Sequence, residues 1–487
     1  MIFNSYIFIL LFLPLALAVW RVIGRKMPGQ SRVWLLLASL IFYGYASAYY
    51  LLLLMGTILV NYAFVRMIRK ARSEIRPKGA ARLLTGGVAI NIALLIYFKY
   101  MNFFRDIAGS ITGVDIPVFK IMLPLGISFY TFSQIAFLVD SYRGETDDVT
   151  FGEYALYISY FPKLIQGPIS LWSDLKAEIR RPAPAAYDWD KASRGLGLFS
   201  IGLGKKMLIA DTLGKAVDLG MLDVHGLYSL DVWAVMIAYS FQIYFDFSGY
   251  CDMASGVSLL FGIELPVNFD SPYKALSISD FWKRWHMTLT SFFRKYLYFP
   301  LGGSRKGKAR TYLNMIIVFL LSGLWHGASM TFVLWGLLHG VFQVLHRIFA
   351  RIYDRLPAFI RWILTFLTVS SLWLLFRAGS IADWAYMMGK AFRLRYWVMH
   401  EEIAMVFRIP RLRTVLSAIG MSYSDMDVYM LCTYAALALC LLLCLIPENS
   451  QRRQFKNSPL GLTACLIILT VCILKMSSVT AFLYFNF

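Results

Sequence analysis

Two histidines lie in apolar stretches, where an ionisable side chain is costly. His326 stands in the middle of Ser322–Ser329, and the chain between Arg310 and Arg347 contains no Asp, Glu, Lys or Arg. Ionisable groups at membrane depth usually line a cavity or a pathway. Imidazole is also the side chain whose proton affinity suits a general base near neutral pH. His326 is therefore the first candidate for catalysis.

The local structure around His326 has two interpretations. A helix that begins after Arg310 would carry His326 roughly 24 Å along its axis at ~1.5 Å per residue, inside a hydrocarbon core about 30 Å thick. Alternatively, Gly323 and Gly327 permit a tight hairpin with His326 at its tip. A lone histidine in an apolar run is equally compatible with a purely structural role.

His286 lies in the segment Phe281–Tyr296, which has helical periodicity. At ~100° per residue, the aromatic and leucine side chains of this segment share one arc, and His286 projects at its edge beside Phe293. The opposite side carries Lys283, Arg284, Arg294 and Lys295. The pattern predicts one amphipathic helix at the membrane surface, which either turns His286 inward or carries it incidentally.

A basic loop, Gly302–Arg310, follows this helix. Arg and Lys side chains donate to phosphate oxygens. The candidates for holding a phosphate-bearing donor are Lys283, Arg284, Arg305 and Lys306. The plainer interpretation is a cytoplasmic loop that contacts lipid headgroups.

Two further polar islands interrupt apolar sequence. The first, Gln242–Asp252, holds two carboxylates, and Asp246 and Asp252 should face a wet cavity or a cation rather than lipid. The second, Tyr160–Pro168, contains proline and glycine and predicts a broken helix or a re-entrant turn.

The amino-acid composition is that of an integral membrane protein. The chain has 487 residues, of which 59% are hydrophobic and 16% charged, with a mean hydropathy of +0.60. Continuous apolar runs exclude disorder, coiled coil and collagen and argue against a β-barrel, whose strands alternate. The net charge of +20 is explained by cytoplasmic loops without any nucleic-acid partner. We predict an all-α polytopic fold of about eight to twelve membrane helices, treated as one domain over residues 1–487.

Charge also predicts the orientation of the first helices. No Lys or Arg precedes the apolar run that starts at Ile2, so a retained first span with its N-terminus outside is expected rather than a signal peptide. The block Val33–Val65 is too long for one helix and predicts a hairpin that turns near residues 43–50. A further span is predicted at Ile121–Val139, and Ala391–Arg413, with Arg395, is predicted to be interfacial. The acidic stretch Asp140–Glu153 is assigned neither to the cytoplasmic nor to the outer side of the membrane.

Several familiar sites are absent. Gly195-Leu-Gly197 lacks the third glycine of a dinucleotide loop, and His400-Glu401 lacks the second histidine of a zinc-binding H-E-x-x-H, since Ala404 stands there. No Gly-x-Ser-x-Gly elbow occurs. The six cysteines form no C-x-x-C pair, so neither a metal site nor a disulfide frame is predicted.

Together these segments resemble the membrane-bound O-acyltransferase family, and within it the bacterial alginate O-acetylation branch. The resemblance covers most of the chain and rests on the following motifs: Pro124–Phe132, Tyr160–Pro168, Gln242–Asp252, Asn268–Tyr273, Phe281–His286, Gly302-Gly-Ser, Ser322–Ser329 and the C-terminal Phe482–Phe487. The chain departs from it at Lys295, where relatives often have an acidic residue, and at Met330, where an aromatic is common.

The resemblance implies a many-helix protein of the bacterial cytoplasmic membrane with a funnel-like centre. His326 matches the most characteristic histidine of the family and His286 its partner. The donor would be acetyl-CoA, with no metal, held on the cytoplasmic side by the cations between Lys283 and Arg310. The channel would be lined by Gln242, Asp246, Asp252 and Trp325. The acceptor would be a polysaccharide, acetylated with the help of a separate extracytoplasmic transferase.

Other functions remain open at this point. A D-alanyl or longer acyl donor belongs to the same enzyme class. A polysaccharide or proton transporter could use His326, Asp246 and Asp252 as a relay, although no internal repeat supports it. A scaffold would only recruit an outer enzyme through residues 400–413. His339 and His346 share a helix face and are interpreted as helix-packing hydrogen bonders or as interfacial residues rather than as catalytic residues.

Overall fold

The computed structural model describes residues 1–146, 148–183, 187–393, 398–452, 459–476 and 482–483. Arg395 of the predicted interfacial segment, and residues 484–487 of the C-terminal motif, lie outside these ranges. The described part is helical and contains no strand, so the predicted all-α class is confirmed.

The first half of the chain forms helices that alternate between long apolar rods and short segments. They are α1 Leu13–Lys26, α2 Ser31–Gly44, α3 Ala48–Ser73, α4 Pro77–Leu95, α5 Met101–Thr112, α6 Ile127–Arg143, α7 Phe151–Ser159, α8 Phe161–Leu164, α9 Trp172–Arg180, α10 Trp189–Gly204 and α11 Asp211–Leu222. Wider π-helical turns precede α1 at Ile7–Phe12, join α4 to α5 at Ile96–Tyr100, and join α10 to α11 at Lys205–Ala210.

The second half contains the longest helix and the segments with both candidate histidines. Its helices are α12 Ser229–Leu260, α13 Ile278–Arg284, α14 Met287–Phe293, α15 Gly307–His326, α16 Met330–Tyr353, α17 Ala358–Arg377, α18 Ile381–Ala391, α19 Glu401–Met405, α20 Leu412–Ala418, α21 Asp425–Leu445 and α22 Pro459–Lys475. A π-turn at Arg294–Tyr298 extends α14.

Six stretches of the described chain are long and apolar enough to cross a membrane. They are Ile7–Lys26, Ala48–Ser73, Pro77–Thr112, Met330–Tyr353, Ala358–Arg377 and Asp425–Leu445. This supports a multi-pass membrane protein. The number is below the eight to twelve estimated from length, and α12 in particular is buried by other helices along nearly its whole length.

The helices have two distinguishable ends. α1 ends at Lys26, α3 ends just after Arg72, and α4 begins at Pro77, so these termini and their cations share what we name the basic end. The predicted hairpin is confirmed, because α2 ends at Gly44 and α3 begins at Ala48. This turn marks the opposite end. There, the Tyr43 hydroxyl donates to the Leu125 carbonyl at 2.8 Å, which places the start of α6 at that end as well.

The predicted span Ile121–Val139 begins too early. The helix starts only at Ile127, because Pro124 has no N–H to donate and Gly126 adopts a left-handed conformation with φ of +74°. α6 then runs to the basic end, where Arg72 Nη1 donates to the Ser141 carbonyl at 3.1 Å.

The acidic stretch that fitted neither side lies at the basic end and is neutralised there. Its ion pairs include Lys295 with Asp140 at 3.0 Å and with Glu145 at 2.7 Å, Arg69 with Asp148 at 3.0 Å, and Arg180 with Glu153 at 3.0 Å. Burial lowers the pKa of Lys295, but its hydrogen bonds to the two carboxylates outweigh this and raise the pKa above its ordinary value. The acids therefore tie the loops of the basic end together.

α12 forms the central support and packs directly against α10. A Cβ on Gly195 would lie 2.7 Å from the Gly256 carbonyl oxygen, and one on Gly202 would lie 2.5 Å from that of Gly249. Gly195, the first glycine of the motif that resembled a dinucleotide loop, and Gly202 therefore allow the backbones of α10 and α12 to touch.

Candidate active site

His326 is the last residue of α15 and lies at the tip of a helical hairpin. α15 ends there, Gly327 is extended with φ of −160°, and α16 begins at Met330. The structure combines the two interpretations, because a helix from the basic loop carries His326 to its end, and His326 lies at the tip of a hairpin. The tip is nevertheless buried, since only 3% of His326 is exposed. α15 begins at the basic end, and its 20 residues carry His326 about 30 Å away from that end.

Two residues from the π-turn after α4 hold the tip of this hairpin. Lys99 Nζ donates to the carbonyl oxygens of Trp325 and His326 at 2.7 and 3.0 Å. The Tyr100 hydroxyl donates to the carbonyl of Leu324 at 2.7 Å. The last carbonyls of a helix have no partner within the helix, so these bonds satisfy groups that would otherwise be costly to bury.

Aromatic rings surround the imidazole of His326. The ring centroids of Trp325, Trp335 and Phe376 lie 4.9, 5.2 and 5.4 Å from that of His326, all edge to face. Trp325 in turn packs against Phe132 of α6 at 5.3 Å. The catalytic candidate therefore sits in a rigid, low-dielectric setting.

His286 interrupts the helix that was predicted across Phe281–Tyr296. That prediction is wrong in its continuity: α13 ends at Arg284, His286 has a left-handed backbone with φ of +44°, and α14 begins at Met287. The N–H of Met287 donates to the Asn268 carbonyl at 2.9 Å instead of continuing a helix. A non-glycine residue in this conformation is strained, and such strain is common at functional sites.

The amide of Asn268 fixes the hydrogen position on the His286 ring. The Asn268 Oδ1 atom accepts from the Thr288 N–H at 3.3 Å and from the Thr288 hydroxyl at 2.9 Å, and it lies 3.1 Å from His286 Nδ1. A backbone N–H can only donate, so the shared amide atom is the oxygen, and Nδ1 must carry hydrogen. Nε2 of the neutral ring then holds a lone pair, and it is buried with no hydrogen-bond partner among the described residues.

A cavity of about 470 Å³ opens at the basic end and reaches the α15–α16 hairpin. Its cations are Lys283, Arg294 and Arg347, and its inner part includes Phe319 and Ser322. Ser322 precedes His326 by one helical turn, or about 6 Å. We name this space the basic cavity.

A second, smaller cavity of about 60 Å³ lies at the opposite end and is lined by His326 itself. Lys99, Ser128, Gln166 and Trp325 also line it. Both amide atoms of Gln166 are buried and lack a hydrogen-bond partner within the described part of the chain. We name this space the outer cavity, and its volume suffices for a few water-sized groups.

The four predicted phosphate-binding residues are not brought together. Lys283 lines the basic cavity, whereas Arg284 is held 3.0 Å from Asp280. Arg305 and Lys306 are exposed on the loop before α15 and line neither named cavity.

Of the predicted channel residues, Trp325 lies beside His326, but the three on α12 do not line either named cavity. Asp246 accepts from Lys206 Nζ at 2.8 Å and Asp252 from Lys205 Nζ at 2.7 Å. Gln242 is buried beside α11. The two aspartates therefore face cations, which is one of the expected alternatives, and those cations are lysines of the chain.

The residues of the site lie within a segment that matches one protein family. Residues 30–388 match the sequence profile of MBOAT, the membrane-bound O-acyltransferase family. The chain belongs to this family. As a member of it, the protein is an O-acyltransferase, and the transporter and scaffold interpretations are superseded.

Several curated MBOAT relatives are similar over most of their length. The chain is 38% identical over 413 residues to the peptidoglycan O-acetyltransferase of Helicobacter pylori, with 78% of each chain covered. It is 37% identical over 409 residues to the probable alginate O-acetylase AlgI of Pseudomonas putida, with 82% of each covered. The chain is 26% identical over 233 residues to the teichoic acid D-alanyltransferase of Streptococcus thermophilus, and this match covers 46% of this chain and 56% of that protein.

Three polar residues near His286 and His326 were not predicted from the sequence. Lys99 follows directly on an apolar run and could have been flagged as a cation inside a hydrophobic segment. Gln166 and Asn268 belong to motifs of the family resemblance, but no local pattern distinguishes either residue from its neighbours.

His339 accepts a hydrogen bond from Trp282 Nε1 at 3.2 Å, as its interpretation as a packing residue predicts. No group of three His, Cys, Asp or Glu among the described residues is placed to hold a metal.

Proposed function

We propose that the protein transfers an acetyl group from cytoplasmic acetyl-CoA to a hydroxyl of an extracytoplasmic polysaccharide, directly or through a partner transferase. The observation that carries the proposal is the place of His326 at the end of a buried helix, where it lines the outer cavity and follows Ser322 of the basic cavity by one helical turn. Cytoplasmic loops of membrane proteins are enriched in Lys and Arg, so the basic end faces the cytoplasm. The site of transfer would lie in the bacterial cytoplasmic membrane.

The basic cavity suits the donor. Lys283, Arg294 and Arg347 would meet the phosphates of coenzyme A, and the apolar inner wall would hold the pantetheine arm that carries the thioester. Ser322 at the inner part of this cavity is one turn from His326. The thioester therefore approaches His326 from the cytoplasmic side.

The chemistry follows from the imidazole. In our proposal His326 takes the proton of the acceptor hydroxyl while the hydroxyl oxygen attacks the thioester carbonyl carbon, whose electrons move onto its oxygen. The tetrahedral intermediate then collapses, the C–S bond breaks, and His326 returns the proton to the thiolate. The products are the acetyl ester and free coenzyme A. An acyl-histidine route would use the same residue as a nucleophile.

The acceptor would enter from the outer cavity. The side-chain amide of Gln166 has no hydrogen-bond partner among the described residues, so its NH2 group can donate to a hydroxyl-bearing ligand and its oxygen can accept from one. The relatives named for peptidoglycan and alginate acetylation support a polysaccharide, reached directly or through an extracytoplasmic partner enzyme. His286, with its lone pair at Nε2, would accept a hydrogen bond from substrate rather than donate one to an oxyanion.

The test is release of free coenzyme A thiol from acetyl-CoA by purified protein in lipid nanodiscs. Oligosaccharides from peptidoglycan and from alginate are offered separately as acceptors. We expect His326→Ala to lower the rate at least ~10²-fold, in line with the loss of a general base. The control is His225→Ala, a histidine whose side chain is 67% exposed and 3.8 Å from Asp383. A His326→Ala protein as fast as wild type contradicts the proposal.

Donor competition decides the acyl group. A D-alanyl thioester that competes better than acetyl-CoA would assign the protein to the D-alanyl branch of the family. Copurification of an extracytoplasmic transferase would support the route through a partner enzyme.

A further inference from the structure

Lys99 is a cation inside a membrane-spanning stretch. It lies in Pro77–Thr112, within the π-helical turn Ile96–Tyr100 that separates α4 from α5. No carboxylate of the described residues pairs with it, in contrast to Lys205 and Lys206. A lysine in such a position is costly to retain, and single π-turns are frequent at functional sites.

The ammonium of Lys99 is bound to the helix end that carries His326. Two of its N–H groups reach the carbonyl oxygens of Trp325 and His326. The C-terminus of a helix carries partial negative charge, which compensates a cation there. Lys99 thus fixes the backbone of His326 from a segment 227 residues distant in sequence.

The same ammonium also faces the reaction space. Lys99 is half-buried, and among the residues lining the outer cavity it is the only lysine or arginine. An ammonium has three donors, and two are used by carbonyl oxygens. The third is left for the cavity in which His326 lies.

We propose that Lys99 is a further functional residue of the acyl-transfer site: it positions His326 and supplies the positive charge that stabilises the oxyanion of the tetrahedral intermediate. The inference rests on the proposed function. In the step concerned, the hydroxyl oxygen bonds to the thioester carbon and the carbonyl electrons move onto oxygen. The Lys99 N–H donates to that oxyanion until the C–S bond breaks and the electrons return to the carbonyl. Lys99 keeps its own proton throughout.

Tyr100 provides a comparison that distinguishes this role of Lys99 from simple helix capping. It donates to the carbonyl of Leu324, in the same helical turn, through a neutral hydroxyl. Loss of either side chain removes a cap, but only loss of Lys99 removes a charge from the cavity. If the charge acts on the transition state, loss of Lys99 should therefore lower kcat more than loss of Tyr100, and Lys99→Arg, which keeps the charge, should recover part of the difference.

The experiment compares Lys99→Met, Lys99→Gln, Lys99→Arg and Tyr100→Phe by coenzyme A release, each with a thermal unfolding curve. Removal of one oxyanion donor costs about 10²–10³ in kcat. We expect such a loss for Lys99→Met and Lys99→Gln with KM for acetyl-CoA little changed. We expect at most about a fivefold loss for Tyr100→Phe, and partial recovery in Lys99→Arg, which keeps the charge.

A folded Lys99→Gln or Lys99→Met with a kcat loss no larger than that of Tyr100→Phe overturns the inference. A loss expressed in KM alone also overturns it, because the charge would then serve donor binding. If Lys99→Met does not fold, Lys99→Gln, which keeps an N–H donor, decides the comparison. A wild-type protein that releases no more coenzyme A than His326→Ala overturns the proposed function, and this inference with it.

Discussion

The side-chain oxygen of Asn268 and the Nδ1 atom of His286 lie 3.1 Å apart, and both side chains are fully buried. The two residues come from different segments that are paired through their backbones, since the Asp270 N–H donates to the Arg284 carbonyl at 2.9 Å. This pairing decides which nitrogen of His286 offers a lone pair. Asn268 is therefore a positioning residue for the second histidine.

We expect Asn268→Ala to lower kcat by about 10- to 100-fold, because loss of a supporting hydrogen bond frees the ring and its tautomer. Asn268→Asp should retain more activity, since a carboxylate oxygen still accepts from Nδ1. Steady-state coenzyme A release measures both. Cys251→Ala is the control. Cys251 Sγ accepts from the amide nitrogen of Asn268 at 3.3 Å, so this variant leaves the Asn268 oxygen that faces His286 in place. Wild-type kcat in Asn268→Ala would show that the tautomer is unimportant.

The basic cavity predicts which cations bind the donor. Lys283→Gln, Arg294→Gln and Arg347→Gln should raise KM for acetyl-CoA several-fold and leave KM for acetyl-pantetheine unchanged, because the shorter donor lacks the nucleotide phosphates. Arg351→Gln is the matched control, since Arg351 is exposed one turn beyond Arg347 on α16. Equal effects on both donors would place the phosphates elsewhere.

The hairpin that carries His326 depends on backbone contact between α15 and α16. A methyl group on Gly323 would overlap the Phe332 carbonyl oxygen and lie 3.0 Å from the Gly336 Cα. We expect Gly323→Ala to lower the unfolding temperature and kcat together, because the helices must separate. Gly56→Ala on α3 serves as the control, since a Cβ there meets nothing within 4 Å. An unchanged kcat and unfolding temperature in Gly323→Ala would refute the close packing.

The ion pair of Asp246 and Lys206 predicts a stability effect. Both side chains are buried and 2.8 Å apart, and removing one partner of such a pair costs about 3–5 kcal/mol. Asp246→Leu should therefore be destabilised, although Lys206 keeps its second partner Asp211 at 2.8 Å. The double variant Asp246→Leu/Lys206→Met leaves Asp211 without that lysine, so it should regain only part of the loss. Thermal unfolding in nanodiscs measures both.

The control for this pair is Asp354→Asn, which breaks the more exposed contact with Arg361 at 3.3 Å and should cost about 0–1 kcal/mol. If Asp246→Leu unfolds at the same temperature as Asp354→Asn, the buried pair does not contribute to the fold.

Sequence patterns predicted the helices that face lipid better than those that enclose the site. The hairpin of α2 and α3 was predictable because hydropathy and charge are local properties. The break at His286 was not, because the groups that replace its helical hydrogen bonds belong to Asn268, on another segment. Of the side chains predicted to share the aromatic arc, Trp282, Trp285, Leu289, Phe292 and Phe293 are buried and Tyr296 is half-buried.

The sequence by itself determined that this is a helical membrane protein with candidate histidines at 286 and 326, because apolar run length and residue identity are local properties of the chain. The acyltransferase activity was implied by the resemblance of its motifs to a known family. Only the tertiary structure decided that Lys99 holds the end of α15, that Asn268 sets the tautomer of His286, and that Asp246 faces Lys206. These contacts join residues separated by 227, 18 and 40 positions. Spacing along a chain carries no signal for such contacts, because they arise from the packing of one helix against another.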